Sequence, residues 1–161
     1  MTKKTCRQTR PLLSNDLYVL TSTNDGRFGA STITWISQTS SKPRLVMAAI
    51  RPQMSAFKCL CESRVAAVHI FEPDQRKIAQ KFLSATRVIG DTINGEPFVP
   101  GVTRAPILKN ASVSFECFVR YIARVGDHAI VVMEVLNAAS RHPVRRRPAP
   151  IVRRDIVVEL S

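Results

Sequence analysis

The chain has 161 residues, of which 45% are hydrophobic and 22% charged, enough for one well-buried core and short for two. Its longest apolar runs fall well below the roughly 18 residues of a membrane span, and Thr2 to Arg10 lacks the apolar stretch of a secretory signal, so a cytoplasmic protein is expected. The net charge of +12 raises nucleic-acid binding, but ten basic residues lie in acid-free flanks at 1–15 and 141–154, leaving the body near neutral at about +2.

The flanks suggest a basic arm over 1–15, a single domain over 16–161 and an Arg/Pro-rich linker at 141–150 within it. Leu17 to Thr23 is apolar and β-branched and runs into Asn24-Asp25-Gly26, where the Asp-Gly step supplies the positive backbone angles of a tight hairpin. Ala30 to Gln38 is rich in Ser and Thr and poor in charge, which suits a strand end entering a polar loop. Leu45 to Ile50 is continuously apolar between Pro43 and Pro52 and reads as a central strand buried on both faces. Met54, Phe57, Leu60 and Cys61 fall at helical spacing, with Phe57 and Leu60 expected inward.

Val65 to Phe71 reads as another buried strand. Pro73, Asp74 and Gln75 open a second helix whose apolar face is Ile78, Ala79, Phe82 and Leu83. Gly90 to Lys109, with two Gly after Gly90 and three Pro, has no period and is expected as a long surface loop. Val113, Phe115, Cys117, Val119 and Tyr121 alternate with more polar residues, the two-residue period of a strand with one wet side. Gly126-Asp127 turns the chain into a strand from His128 to Leu136, and Ile151 to Leu160 could add a last one. Six or seven strands arriving mostly as hairpins, with two short helices, favour an antiparallel β-barrel over a parallel sheet. The four cysteines form no Cys-x-x-Cys pair, so free thiols are expected and a zinc site is not.

Gly29 through Ile50, Gly-Ala-Ser-Thr-Ile-Thr-Trp-Ile-Ser-Gln-Thr-Ser-Ser-Lys-Pro-Arg-Leu-Val-Met-Ala-Ala-Ile, resembles the signature stretch of the flavin reductase family. Val68-His69-Ile70, Asp74-Gln75 and Gly126-Asp127-His128 continue the resemblance in the family's order. It implies an FMN-binding split barrel that acts as a homodimer and transfers hydride from NADH or NADPH to flavin, with FAD or riboflavin as alternative flavin substrates. A flavin-dependent oxygenase or another electron acceptor would be the downstream partner, and no catalytic acid, base or nucleophile is required.

Carried over by position, Ser31, Thr32, Ile33, Thr34, Trp35 and Ile36 would line the flavin ring. Ser37, Gln38 and Thr39 would approach the ribityl chain and phosphate, and Arg51 and Ser55 would complete the phosphate site; hydroxyls, amides and a bidentate Arg suit that anion. His69 stands where the family often has Asn, and His128 would contact the nicotinamide or the flavin edge. Two further readings are an FMN-binding electron relay that uses no nicotinamide, and a nucleic-acid-binding barrel with basic tails. The second is disfavoured because no aromatic residue lies within 141–154 where bases could stack.

Overall fold

A computed structural model describes residues 17–141. The basic arm, most of the linker and the expected strand at Ile151 to Leu160 lie outside the described residues. Among the described residues, eleven strands form one seven-stranded and one four-stranded sheet, with every pairing antiparallel, and two short helices accompany them. Strands β1 (Tyr18–Asn24) and β2 (Arg27–Ile33) make the expected hairpin, with Asp25 at φ 46° and Gly26 at φ 76°. Then come β3 (Ile36–Ser41), β4 (Arg44–Ile50), helix α1 (Ser55–Ser63) and β5 (Val65–Ile70). A 3-10 turn at Pro73–Gln75 leads into α2 (Arg76–Gln80). The long hairpin of β10 (Val113–Arg124) and β11 (Ala129–Ser140) ends the described chain.

The large sheet runs β2-β1-β5-β10-β11-β4-β3. Its two edge strands, β2 and β3, are consecutive in sequence and joined by Thr34 and Trp35 alone. Flat, seven strands would separate those edges by about 29 Å at ~4.8 Å per strand, whereas the link from Ile33 to Ile36 spans at most about 11 Å. The sheet therefore curls until its edges approach at this end. Inside the curl lies the main core, built from Leu20, Ile33, Val46, Ala48, Ile50, Val68, Phe115, Cys117, Val131 and Met133 and covered by Ala56, Phe57 and Leu60 of α1. The amphipathic reading of that helix is therefore borne out, Phe57 and Leu60 both being fully buried.

Where the structure departs from the sequence reading, the cause is a covering layer or its absence. Gly90 to Lys109 is not a loop: β6 (Val88–Ile89), β7 (Thr92–Ile93), β8 (Glu96–Pro100) and β9 (Pro106–Leu108) form the second sheet. Strands of two to five residues are too short to carry a period, yet Ile93 and Leu108 are buried in a second core with Val19, Ala30, Ala79 and Phe82. Leu83, expected on the same helical face, is instead 69% exposed, beyond the end of α2. In β10, Ser114 and Glu116 occupy the expected wet side but are buried, and the alternation breaks before Tyr121, which is exposed. Strand β4 buries only Val46, Ala48 and Ile50, while Leu45, Met47 and Ala49 are half-buried because no element among the described residues packs fully over them.

The second sheet is fastened by polar side chains aligned across adjacent strands. Thr21 on β1, Ala67 on β5, Glu116 on β10 and Asn137 on β11 stand in register. Thr21 Oγ1 donates to Pro106 O at 2.6 Å, Glu116 accepts from the amide and hydroxyl of Thr103 at 2.8 and 2.9 Å, and Asn137 donates to Glu116 at 3.1 Å. These bonds hold the Glu116 carboxyl below its ordinary range although burial opposes them.

One turn of strand away, His69 is fully buried and uses both ring nitrogens: Nε2 accepts from Leu108 N–H at 3.1 Å, so Nδ1 carries the proton and donates to Val19 O at 3.1 Å. Burial pushes its pKa down from 6.5 to about 4, against the opposing pull of the Val19 bond and the Glu116 charge.

Two outcomes follow from this packing. A Cβ on Gly29 would lie 2.4 Å from the backbone of Ser55, so Gly29→Ala is expected to cost about 2–3 kcal/mol in denaturant unfolding by driving α1 off the sheet. For His69, the unfolded ring binds its proton near pH 6.5 and the folded ring only near 4. The stabilisation is intact above the upper value and fades as pH falls toward the lower, a loss on the order of 2 kcal/mol by pH 5. Urea titrations between pH 7 and 4.5 should show this slope in the wild type, and it should flatten in His69→Gln.

Candidate functional site

The end of the sheet where its edges approach also gathers the C-terminal end of β4 and the start of β11. Pairing of Ile50 with Ala129 puts Arg51 beside His128, residues 77 apart in sequence. Arg51 Nε donates to His128 Nε2 across a long 3.4 Å, and Asp127 Oδ1 lies 2.9 Å from His128 Nδ1. Trp35 enters from the link between the two edge strands, where its carbonyl accepts from Ala49 N–H at 2.9 Å. Its ring centroid is 4.8 Å from that of His128, with the planes tilted by 54°, and half of its surface is exposed. The hydrogen bond from His128 holds the fully exposed Asp127 carboxyl below its ordinary range.

Beside this group begins α1. Its N-cap residue, Met54, makes no side-chain capping bond and no acid occupies the first turn, so the helix offers first-turn amides and the positive end of its dipole to an anion. The backbone of Gly29 lies directly against Ser55 and Ala56, which is possible only without a side chain at Gly29. Ser55 Oγ is 2.5 Å from Thr86 Oγ1, and Thr86 in turn bonds both the N–H and the C=O of Ala30 at 2.9 Å. Thr86 thus ties the helix start to β2. No motif in the sequence marks it, because its role depends on a fold contact 56 residues away.

The sequence-derived residues are not all brought to one place. Trp35, Arg51 and His128 come together, with Ser55 on the adjoining helix start. Ser31, Thr32 and Ile33 are buried in β2, and the Thr32 hydroxyl is used by the fold, donating to Ala79 O at 2.7 Å. Thr34 is exposed and Ile36 half-buried on either side of Trp35.

Ser37, Gln38 and Thr39 lie on β3, whose register sets Ser37 opposite Met47 and Gln38 opposite Val46. That is four or more residues back from Arg51, about 13 Å or farther along the strand at ~3.3 Å per residue. Their side chains bond locally, Gln38 to Ser40 O at 3.2 Å and Thr39 to Leu45 O at 3.5 Å. His69 is not brought to this group, since both its nitrogens are bonded inside the fold. Cys59, Cys61 and Cys117 are free, and among the described residues no group of three or more His, Cys, Asp or Glu could hold a metal ion.

What the assembled residues can do is bind rather than cleave: an exposed indole next to an imidazole for a flat ring, and a guanidinium and helix amides for an anion. Known proteins resemble this chain in sequence and in fold. Residues 11–155 match the family described as flavin reductase like domain. The FMN reductase (NADH) SmoA of Agrobacterium fabrum is 30% identical over 126 residues, 76% of this chain and 68% of that protein. The FMN reductase (NADH) RutF of Stutzerimonas stutzeri is 28% identical over 121 residues, 74% of this chain and 69% of that one.

Among solved structures, an FMN-binding protein from Thermus thermophilus shares the fold with a TM-score of 0.77 at 19% identity, covering 93% of this chain and 85% of that one. BorF, the flavin reductase component of a bacterial two-component tryptophan halogenase, gives 0.68 at 22% identity over 80% and 81%. With a match along most of its length and the sheet to go with it, this chain belongs to the flavin reductase-like domain family.

Proposed function

We propose that the protein is a flavin reductase that transfers hydride from NADH to FMN and releases reduced flavin to a flavin-dependent oxygenase or halogenase. The observation that carries this reading is the convergence of Trp35, Arg51 and His128 from three separate strand ends onto one half-open site. The residues present fit a flavin mononucleotide: Trp35 offers an exposed face for the ring, while Arg51 and the uncapped start of α1 at Ser55 suit a phosphate. When bound, the flavin supplies the hydride acceptor and the nicotinamide the donor, so no protein nucleophile or acid is needed.

The chain's own part is positional. Trp35 and His128 present two tilted rings against which a flat heterocycle stacks. Arg51, bound to His128 by a single long bond, is free to turn toward an anion at the start of α1. Gly29 and Thr86 fix that helix start against β2, which sets the distance between the anion end and the ring end of the site.

The reading includes a split barrel and a homodimer. For the barrel, the support is the two-residue link between the edge strands. For the dimer, the support is an apolar patch on the outward face of β4 and β11. Ala49 pairs with Ile130 and Met47 with Val132, all half-buried, and Tyr121 beside Val132 is 63% exposed. A hydrophobic surface of that kind on a small domain is the usual mark of an interface.

Purified protein mixed with FMN and desalted is expected to keep the flavin's visible absorbance, which NADH should bleach anaerobically. Colour lost on desalting, together with no NADH oxidation in the presence of free FMN, would overturn the assignment. Arg51→Ala should raise the dissociation constant for FMN about 10- to 100-fold, the loss of a charge-assisted bond, while riboflavin binding changes little. Met47→Glu should convert a dimer into a monomer in analytical ultracentrifugation, and a wild type that sediments as a monomer would remove the dimer from the proposal.

A further inference from the structure

The Arg51–His128–Asp127 row has a direction that follows from elementary hydrogen-bond chemistry. An arginine Nε carries a proton and has no lone pair, so it can only donate. Its partner, His128 Nε2, must therefore be unprotonated, and the ring proton sits on Nδ1, 2.9 Å from Asp127 Oδ1. The two partners occupy different surroundings: the imidazole is 17% exposed while the carboxylate is 90% exposed at the rim. An exposed carboxylate so placed contributes little to stability, but it can select which ring nitrogen carries the proton. An unrestrained neutral imidazole prefers the opposite tautomer, with the proton on Nε2.

We propose that Asp127 is a positioning residue that holds His128 in the Nδ1–H form and so turns Nε2 into a hydrogen-bond acceptor directed into the site. Trp35, with its ring centroid 4.8 Å away, limits ring rotation, so the acceptor keeps its aim. In the free protein Arg51 satisfies that acceptor over 3.4 Å. A ligand amide N–H can take its place, and Arg51 is released to bind an anion. The chemical class selected is a carboxamide donor, and the nicotinamide carboxamide fits it. This last step rests on the flavin reductase reading above, whereas the tautomer assignment does not. A ring with the proton on Nε2 would present a donor to a donor and would lose the contact.

The test uses 15N-histidine-labelled full-length protein at pH 8. The chain has three histidines, and His128→Asn and His69→Gln assign two of the three imidazole signals by their disappearance. Wild-type His128 should show a protonated Nδ1 and a bare Nε2, and Asp127→Asn should shift it toward the Nε2–H form. Asp127→Glu, which keeps a carboxylate within reach, should restore the wild-type pattern. In NADH oxidation with saturating FMN, Asp127→Asn should raise KM for NADH about 5- to 20-fold with a smaller change in kcat, a lost neutral or partly charged hydrogen bond.

A wild-type spectrum with the proton on Nε2, or an Nδ1–H pattern unchanged in Asp127→Asn, would overturn the proposal. A shifted tautomer with unchanged KM would overturn the carboxamide assignment. A wild type that oxidises no NADH would instead count against the flavin reductase reading, with the spectra still deciding the tautomer.

Discussion

The pairing of β4 with β11 is the contact on which the candidate site depends. It joins residues from distant parts of the chain, Ile50 with Ala129, and so delivers Arg51 and His128 to the same point on the rim of the sheet. The pairing is possible only because the β10–β11 hairpin inserts between β5 and β4, filling a gap that the first five strands leave open. Its inner residues, Val131 and Met133, fit against Val46, Ala48 and Ile50 of β4 with almost no exposed surface. The geometry of the site is therefore set by core packing, and the polar residues at the rim inherit their spacing from apolar ones a few ångströms below.

The outward face of the same sheet is divided. Over β1, β5 and β10 lies the second sheet, and beside the apolar Val19 the side chains beneath it include polar ones that are individually satisfied: Thr21, His69 and Glu116 each bond the backbone of residues 103–108. Over β11 and β4 no described element lies, and the side chains are Met47, Ala49, Ile130 and Val132. Polar groups fix one covering layer in a single register, since each donor has one acceptor. The apolar half makes no such demand and suits a surface that another molecule covers.

Much of the framework was legible because it is carried by local rules. Asp25-Gly26 announced a hairpin, the spacing of Phe57 and Leu60 announced a buried helical face, and the alternation in β10 assigned Phe115 and Cys117 inward. What the period could not reveal was the environment of the opposite face. Ser114 and Glu116 look like residues of a wetted surface until the second sheet is placed over them, and that sheet is built of strands too short to register as a pattern. The site was legible in the same partial way. Resemblance to a family selected Trp35, Arg51 and His128, but only strand pairing brings them together. It also separates Ser37 to Thr39 from Arg51, because a hairpin register carries residues away from a turn as surely as toward it. Thr86 carried no visible signal, since it acts through a contact with a distant backbone, and Gly29 was marked only as the start of the family-like stretch, not for its contact with Ser55.

The strand order has a consequence for synthesis. A ribosome releases β1 to β5 well before β10 and β11, so the nascent chain holds two strands, β5 paired only with β1 and β4 paired only with β3, whose inner faces are apolar and whose other backbone edges lack partners. Pairings that span some 80 residues close slowly, because the entropy of a long loop must be overcome before any contact repays it. Until the last hairpin arrives, Ala66, Val68, Val46 and Ala48 are available to other chains. The same insertion that completes the site thus makes the period just before it the point of greatest aggregation risk in the life of the molecule.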